Sequence, residues 1–169
     1  MIAARRDPAA DLLRTQYGGK TGEYMSAWRR KLIETFPEST KYWEEWCDSI
    51  YGTFGTLTQL AVKALGEGDE DTVERVFAFA YWCYDQKPLN NAVCVGFYEN
   101  LPRQEKLASV LPRFLRDQIY QDVRPLMESM CGKEAVAGVD MAYDEHGKVQ
   151  RRCAAKAARR KTKGRRESG

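Results

Sequence analysis

Histidine is almost missing from this chain: its 169 residues include one, His146, in a DEHG stretch that reads as an exposed turn. A Ser-His-Asp or Cys-His arrangement would have to use that residue, which lies outside the segments dense in apolar side chains. Cysteine is present without a pattern. Cys47, Cys83, Cys94, Cys131 and Cys153 form no CxxC, and an odd number argues against a disulfide framework. They read as buried or half-buried thiols in a reducing compartment. Zinc needs histidine or paired cysteine ligands, so neither a metal nor another cofactor is expected.

Phosphate loops are lacking too. There is no GxxxxGK[ST] and no GxGxxG. The YGGKTG stretch holds Gly18, Gly19 and Gly22, but no strand precedes it, so it reads as a flexible connector. No run reaches the roughly 18 to 20 uncharged apolar residues that a membrane span requires. The opening MIAARRDPAADLLRTQ carries arginines without the apolar stretch of a secretory signal. A cytoplasmic location and no membrane partner are the expectations.

Charge is plentiful and unevenly divided. Nine lysines or arginines against one glutamate give residues 151–169 a charge of +8, and the net charge of +3 then leaves −5 on residues 1–150. The tail, RRCAAKAARRKTKGRRESG, has no large apolar residue and cannot bury itself in a core. It reads as a solvated disordered end, as a contact for nucleic-acid phosphates, or as a segment that folds back on the acidic body. For the second reading the contacts would be Arg151, Arg152, Lys156, Arg159, Arg160, Lys161, Lys163, Arg165 and Arg166. With no aromatic residue in the tail, base stacking is not supported.

The rest reads as helices. Asp7-Pro8 is a cap and a first-turn proline, opening a short helix to about Gln16. A second helix spans about Glu23 to Thr35 and ends at Phe36-Pro37. Ser39 or Thr40 caps a third, carrying Trp43, Trp46, Cys47, Ile50, Phe54 and Leu57 towards Leu65, with a kink, break or close contact expected at Gly52 and Gly55. Gly66 and Gly68 end it.

Asp71 and Glu74 stand at capping-box spacing. After them Val73, Val76, Phe77, Ala80, Tyr81 and Tyr84 form one helical face, while Phe79, Trp82 and Cys83 cover a second. A helix apolar nearly all round is buried between neighbours or shows an apolar patch to a partner. Lys87-Pro88 breaks the chain, and Leu89 to Leu101 restart it, with Gly96 admitting a close neighbour. Glu99, beside this buried stripe, reads as a cap or backbone partner rather than a catalytic acid.

Leu111-Pro112 opens a longer helix to Met130, with a kink or restart near Arg124 because of Pro125. Val139, Met141 and Tyr143 then alternate before the DEHG turn, which suggests a short hairpin; a helix running into the tail is the alternative.

The expected fold is all-α: a single-domain bundle or orthogonal array of about six helices, with a possible short C-terminal hairpin and a basic tail. Residues 1–22 would be an N-terminal helix and connector, 23–132 the helical core, 133–150 the hairpin or helix extension, and 151–169 the disordered tail.

Three strings carry a family likeness: FGTL, GEGDEDTVERVFAFAYWCYD and NNAVCVGFYENLP. Phe54-Gly55, Gly68-Asp69-Glu70, Val73, Arg75, Val76, Phe77, Phe79, Asn91-Ala92-Val93, Phe97, Glu99 and Leu101, with Phe36-Pro37 upstream, resemble a family of small uncharacterised bacterial helical proteins over roughly residues 36–130. Such proteins look like immunity proteins of bacterial toxin systems. The resemblance implies protein binding without enzyme activity and carries over no catalytic residue. This chain departs from the pattern at Tyr81-Trp82, where the family is more polar, and in its basic tail.

The leading expectation is therefore a non-enzymatic protein-binding module, immunity-like, facing a partner such as a basic toxin. Trp43, Trp46, Tyr81, Trp82 and Tyr84 are its candidate contacts. A nucleic-acid-associated or phage accessory protein working through the tail is the alternative. An enzyme would need a cation or helix N-terminus beside Cys47, Cys83 or Cys94, and no such arrangement is evident.

Overall fold

The computed structural model describes the backbone of residues 25–167 and the side chains of residues 25–154 other than Trp46. The helix expected after Asp7-Pro8 and the YGGKTG connector lie outside the described residues. Among those described, nine α-helices and no strand occur, so the chain is all-α with more and shorter helices than six. Contacts divide the chain after Glu44, into residues 1–44 and 45–169.

In the first unit, α1 (Ala27–Thr35) stops where Pro37 follows Phe36, and the Phe36 amide closes the helix on the Leu32 carbonyl. A 3-10 turn, Pro37–Ser39, leads into α2 (Thr40–Trp46), which crosses the division. Leu32, Phe36 and Trp43 are buried, and the Phe36 and Trp43 rings meet at 6.0 Å.

The single helix expected from residue 40 to 65 is broken, but not at its glycines. The chain leaves α2 after Trp46, and Ser49 caps α3 (Ile50–Glu67) by accepting from the Gly52 amide at 3.1 Å. Cap chemistry in Asp48-Ser49 outweighs an apolar spacing that would run straight through. Gly52 and Gly55 sit inside α3. Its end is as read: Gly68 takes φ +77°, the left-handed conformation that suits glycine, and the Asp69 amide returns to the Ala64 carbonyl at 2.9 Å.

Helix α4 (Glu70–Asp85) is capped by Asp69, not Asp71. Asp69 accepts from the Thr72 amide at 3.1 Å and the Thr72 hydroxyl at 2.7 Å, and these bonds hold its carboxyl below the usual carboxylate range. Asp71 instead pairs with Arg75 one turn on. Pro88 stands in the first turn of α5 (Lys87–Gly96), where a missing N–H costs nothing. The chain then tightens into a 3-10 turn, Tyr98–Arg103.

Helices α3, α4 and α5 pack together around phenylalanines. Phe54 lies 5.8 Å from Phe79 and 5.6 Å from Phe97, and Phe77 lies 5.4 Å from Phe97. Gly96 faces this cluster, and a Cβ there would meet the Phe54 side chain at 3.4 Å, an ordinary contact distance.

After α6 (Glu105–Ala108), the longer helix expected from Leu111 is two. Helix α7 (Leu111–Phe114) ends at an extended Leu115, and α8 (Asp117–Cys131) starts afresh. No restart occurs near Arg124, because α8 passes through Pro125.

The hairpin is absent: α9 (Lys133–Glu167) occupies its place. Val136 and Val139 are buried and Tyr143 follows at the next turn, a helical spacing, while Met141 faces away at 69% exposure. The apparent alternation of residues 139, 141 and 143 was one helical face crossed by an outward methionine. The segment expected to be a disordered tail has helical backbone as far as Glu167. Among the described residues, no helix is long and apolar enough to cross a membrane.

Candidate functional site

The break between α7 and α8 frees backbone groups that a continuous helix would have paired. Two tyrosines from elsewhere in the chain take them up. The Tyr81 hydroxyl, from α4, donates to the Phe114 carbonyl and accepts from the Arg116 amide at 3.1 Å. The Tyr143 hydroxyl, from α9, donates to the Leu115 carbonyl at 2.7 Å. The Arg116 guanidinium lies 4.4 Å above the Tyr81 ring, a cation–π contact.

Tyr84, one turn beyond Tyr81, donates to Asp122 at 3.0 Å, and Gln118 holds the other oxygen of that carboxylate at 3.1 Å. Tyr81 and Tyr84 are both half-buried. On the α9 side the Tyr120 and Tyr143 rings stack at 4.1 Å, and the Tyr120 hydroxyl donates to Asp140 at 2.6 Å. Arg124 grips the same Asp140 at 3.0 and 2.7 Å and reaches Glu128 at 3.0 Å.

Electrostatics keep these hydroxyls protonated. Burial raises Tyr81, partly offset by the amide and charge of Arg116. Burial and Asp122 push Tyr84 up to about 12. Tyr120 is raised by burial and by Asp140, and Tyr143 by burial and Asp117. Burial pushes the Cys83 thiol up to about 12 and raises Cys94 as well. A thiol held protonated is a poor nucleophile, and a phenol held protonated serves as a donor.

Asp140 moves the other way. Its bond from Arg124 holds it below the ordinary value of 3.8, with Tyr120 adding to the effect against a partial opposing cost of burial. Its contribution to stability is therefore present above the unfolded value and lost as pH falls through the lowered folded one. The difference in melting temperature between wild type and Asp140→Asn should stay constant from roughly pH 7 to pH 5 and shrink below about pH 4. A difference that persists undiminished in acid would contradict this role for the carboxylate.

The candidate aromatics are thus sorted. Tyr81 and Tyr84 share one face of α4 with Arg116, Gln118 and Asp122 close by. Trp82 points elsewhere, half-buried and stacked on Phe79 at 6.4 Å. Trp43, another candidate contact, is 3% exposed and lies in the core. The Trp46 side chain lies outside those described. Tyr42 and Tyr51, which the apolar spacing passed over, are 44% and 49% exposed. Arg116, Asp122, Arg124 and Asp140 were also passed over. Each is an ordinary surface charge in sequence, and its partner lies on another element or at a distant position.

Of the basic residues, Arg151 and Arg152 are exposed on α9, and the side chains of the other seven lie outside those described. Cys131 half-buries its thiol against the Glu99 carbonyl at 3.0 Å. Among the described residues no group of three histidine, cysteine or acidic side chains is placed to hold a metal. An open cleft of about 460 Å³ lies between Arg124, Glu128, Ser129, Gly132 and Lys133, with Glu128 already bonded to Arg124.

Short helices held by phenylalanine packing and tyrosine hydroxyls define an all-α domain. The chain belongs to the family of the domain of unknown function DUF7674, whose model matches residues 29–129, close to the 36–130 over which an uncharacterised family was expected. The match ends within α8, so α9 lies beyond it. No curated protein and no solved structure matches the chain.

Proposed function

We propose that the chain is a non-enzymatic protein-binding module, an immunity-like inhibitor of a bacterial toxin, which meets its partner through the Tyr81–Tyr84 face of α4. One observation carries this reading: both rings are half-exposed and both hydroxyls are already anchored, Tyr81 on the α7–α8 break and Tyr84 on Asp122. A fixed aromatic ring offers contact area with little conformational entropy left to lose on binding. Arg116, Gln118 and Asp122 supply a polar rim.

Charge supports the choice of a basic partner. Residues 25–150 carry 20 acids against 14 lysines or arginines, a formal −6 that would steer such a partner and speed encounter. The resemblance to immunity proteins supplies the particular form of the reading.

The test is coexpression with the toxin-like product of a neighbouring reading frame, followed by capture of that product on the purified full chain. Wild type is expected to restore growth and to bind one partner stoichiometrically. Tyr84→Ala should weaken capture about tenfold, the loss typical of an interface anchor, while deletion of residues 151–169 leaves it intact. Capture that ignores Tyr84→Ala would displace the binding face. Absence of any stoichiometric protein partner would end the reading.

A further inference from the structure

Helix α9 has two sides. Val136, Val139 and Tyr143 turn one of them to the domain. Glu134, Gly138, Met141, Glu145, Lys148 and Arg152 follow one another at steps of 4, 3, 4, 3 and 4, which places them on the opposite side. All six are exposed, Met141 at 69%. A Cβ built on Gly138 would meet nothing within 4 Å. The family match ends at residue 129, so this outer stripe is an addition to the family domain.

Charge along the stripe is ordered. Glu134 stands at one end, Lys148 and Arg152 at the other, with exposed Arg151 beside them. Lys148 reaches Glu145 on its own helix at 2.6 Å, whereas Glu134 and Arg152 make no hydrogen bond or ion pair among the described residues. The steps also read the same in both directions. A second α9 laid antiparallel about residue 143 therefore sets Glu134 against Arg152, Gly138 against Lys148 and Met141 against Glu145, and repeats each contact in reverse. A parallel copy would set Lys148 and Arg152 against themselves, and like charges so placed repel.

We propose that α9 is a self-association helix, through which two copies of this chain pair antiparallel along the outer stripe. Each end is closed by Glu134 of one copy and Arg152 of the other. Opposite Gly138 there is room for the stem of Lys148 from the second copy. The two Met141 side chains stand about 6 Å apart along the axis and cover each other from water. Antiparallel axes also bring opposite ends of the two helix dipoles together. The stripe lies opposite Val136, Val139 and Tyr143, so the two domains stand on opposite sides of the helix pair. The contact is about 27 Å long and one helix wide. It is smaller than the roughly 1,200 to 2,000 Å² of stable complexes, so the dimer is weak, and exposed charge makes it sensitive to salt.

The test is sedimentation equilibrium of the full chain from about 10 to 500 µM in about 50 mM salt. Wild type is expected to show a reversible monomer–dimer equilibrium that weakens at about 500 mM salt. Glu134→Arg and Arg152→Glu should each weaken the dimer about tenfold, because each sets like charges together at both ends. Combined in one chain, the two changes exchange the pair without breaking it and should restore association to within about threefold of wild type. Met141→Lys, at the centre, should weaken the dimer about tenfold or more. A wild type that stays monomeric throughout would leave the face to another occupant and overturn the proposal. Association untouched by Met141→Lys would place the contact elsewhere, and a charge exchange that fails to restore it would rule out the antiparallel register; either result overturns the proposal as well.

Discussion

Phe77→Ala is expected to remove about 3 to 5 kcal/mol of stability, the cost of deleting a fully buried aromatic ring and leaving its cavity. Phe77 is 1% exposed and joins three parts of the fold. Its ring meets Phe97 after α5 at 5.4 Å, edge to face, and stacks on Phe114 of α7 at 5.7 Å. It also lies 6.4 Å from Tyr81, whose hydroxyl braces the α7–α8 break. Losing the ring therefore loosens α4 from α5 and from α7 at once. Domains of this size hold only about 5 to 15 kcal/mol, so the variant should be partly unfolded or close to it at 37 °C. Urea denaturation followed by far-ultraviolet dichroism measures the loss. Met141→Ala, at a site 69% exposed, is the control and should stay within about 0.5 kcal/mol of wild type. A Phe77→Ala cost below about 1 kcal/mol would mean that the phenylalanine cluster does not hold these helices together.

The parts of this fold legible in sequence are those decided within a few residues. Pro88 in a first turn, Gly68 with a positive φ and the apolar faces of α4 are all local facts. Gly96, read as admitting a close neighbour, does face Phe54, but at a distance that would also accommodate a Cβ. The errors have two physical sources. One is competition among nearby polar groups: Asp69 and Asp71 can both cap, and the pair of bonds with Thr72 selects Asp69. The other is distance along the chain. Nothing between Leu111 and Met130 announces a break at Leu115, because what stabilises it stands 28 to 35 residues away in Tyr143 and Tyr81. The same distance hid the candidate site. A tyrosine in an apolar stripe looks alike whether its hydroxyl awaits a partner or is already bound. Asp122 and Asp140 look like any surface acid until the fold brings Tyr84, Tyr120 and Arg124 to them.

Tyr81→Phe should cost about 2 kcal/mol, within the roughly 1 to 3 kcal/mol of a buried group stripped of its hydrogen-bond partner. The substitution keeps the ring, so the contact with Phe77 and the stacking of Arg116 remain. It removes one oxygen that serves as donor to the Phe114 carbonyl and acceptor from the Arg116 amide. Phe114 is buried, and its carbonyl loses the Tyr81 hydroxyl as donor; the Arg116 amide lies in an exposed residue and can turn to water. The loss should concentrate at the start of α8, where amide hydrogen exchange at residues 116–118 should quicken before exchange within α4 does. A change under about 0.5 kcal/mol, with exchange there unaltered, would show that the break needs no brace from α4. The same variant separates bracing from recognition. If the Tyr81–Tyr84 face binds a partner through its rings, Tyr81→Phe keeps the contact surface and should retain capture while melting earlier. Tyr84→Ala should weaken capture about tenfold while the α7–α8 break keeps both of its tyrosine bonds.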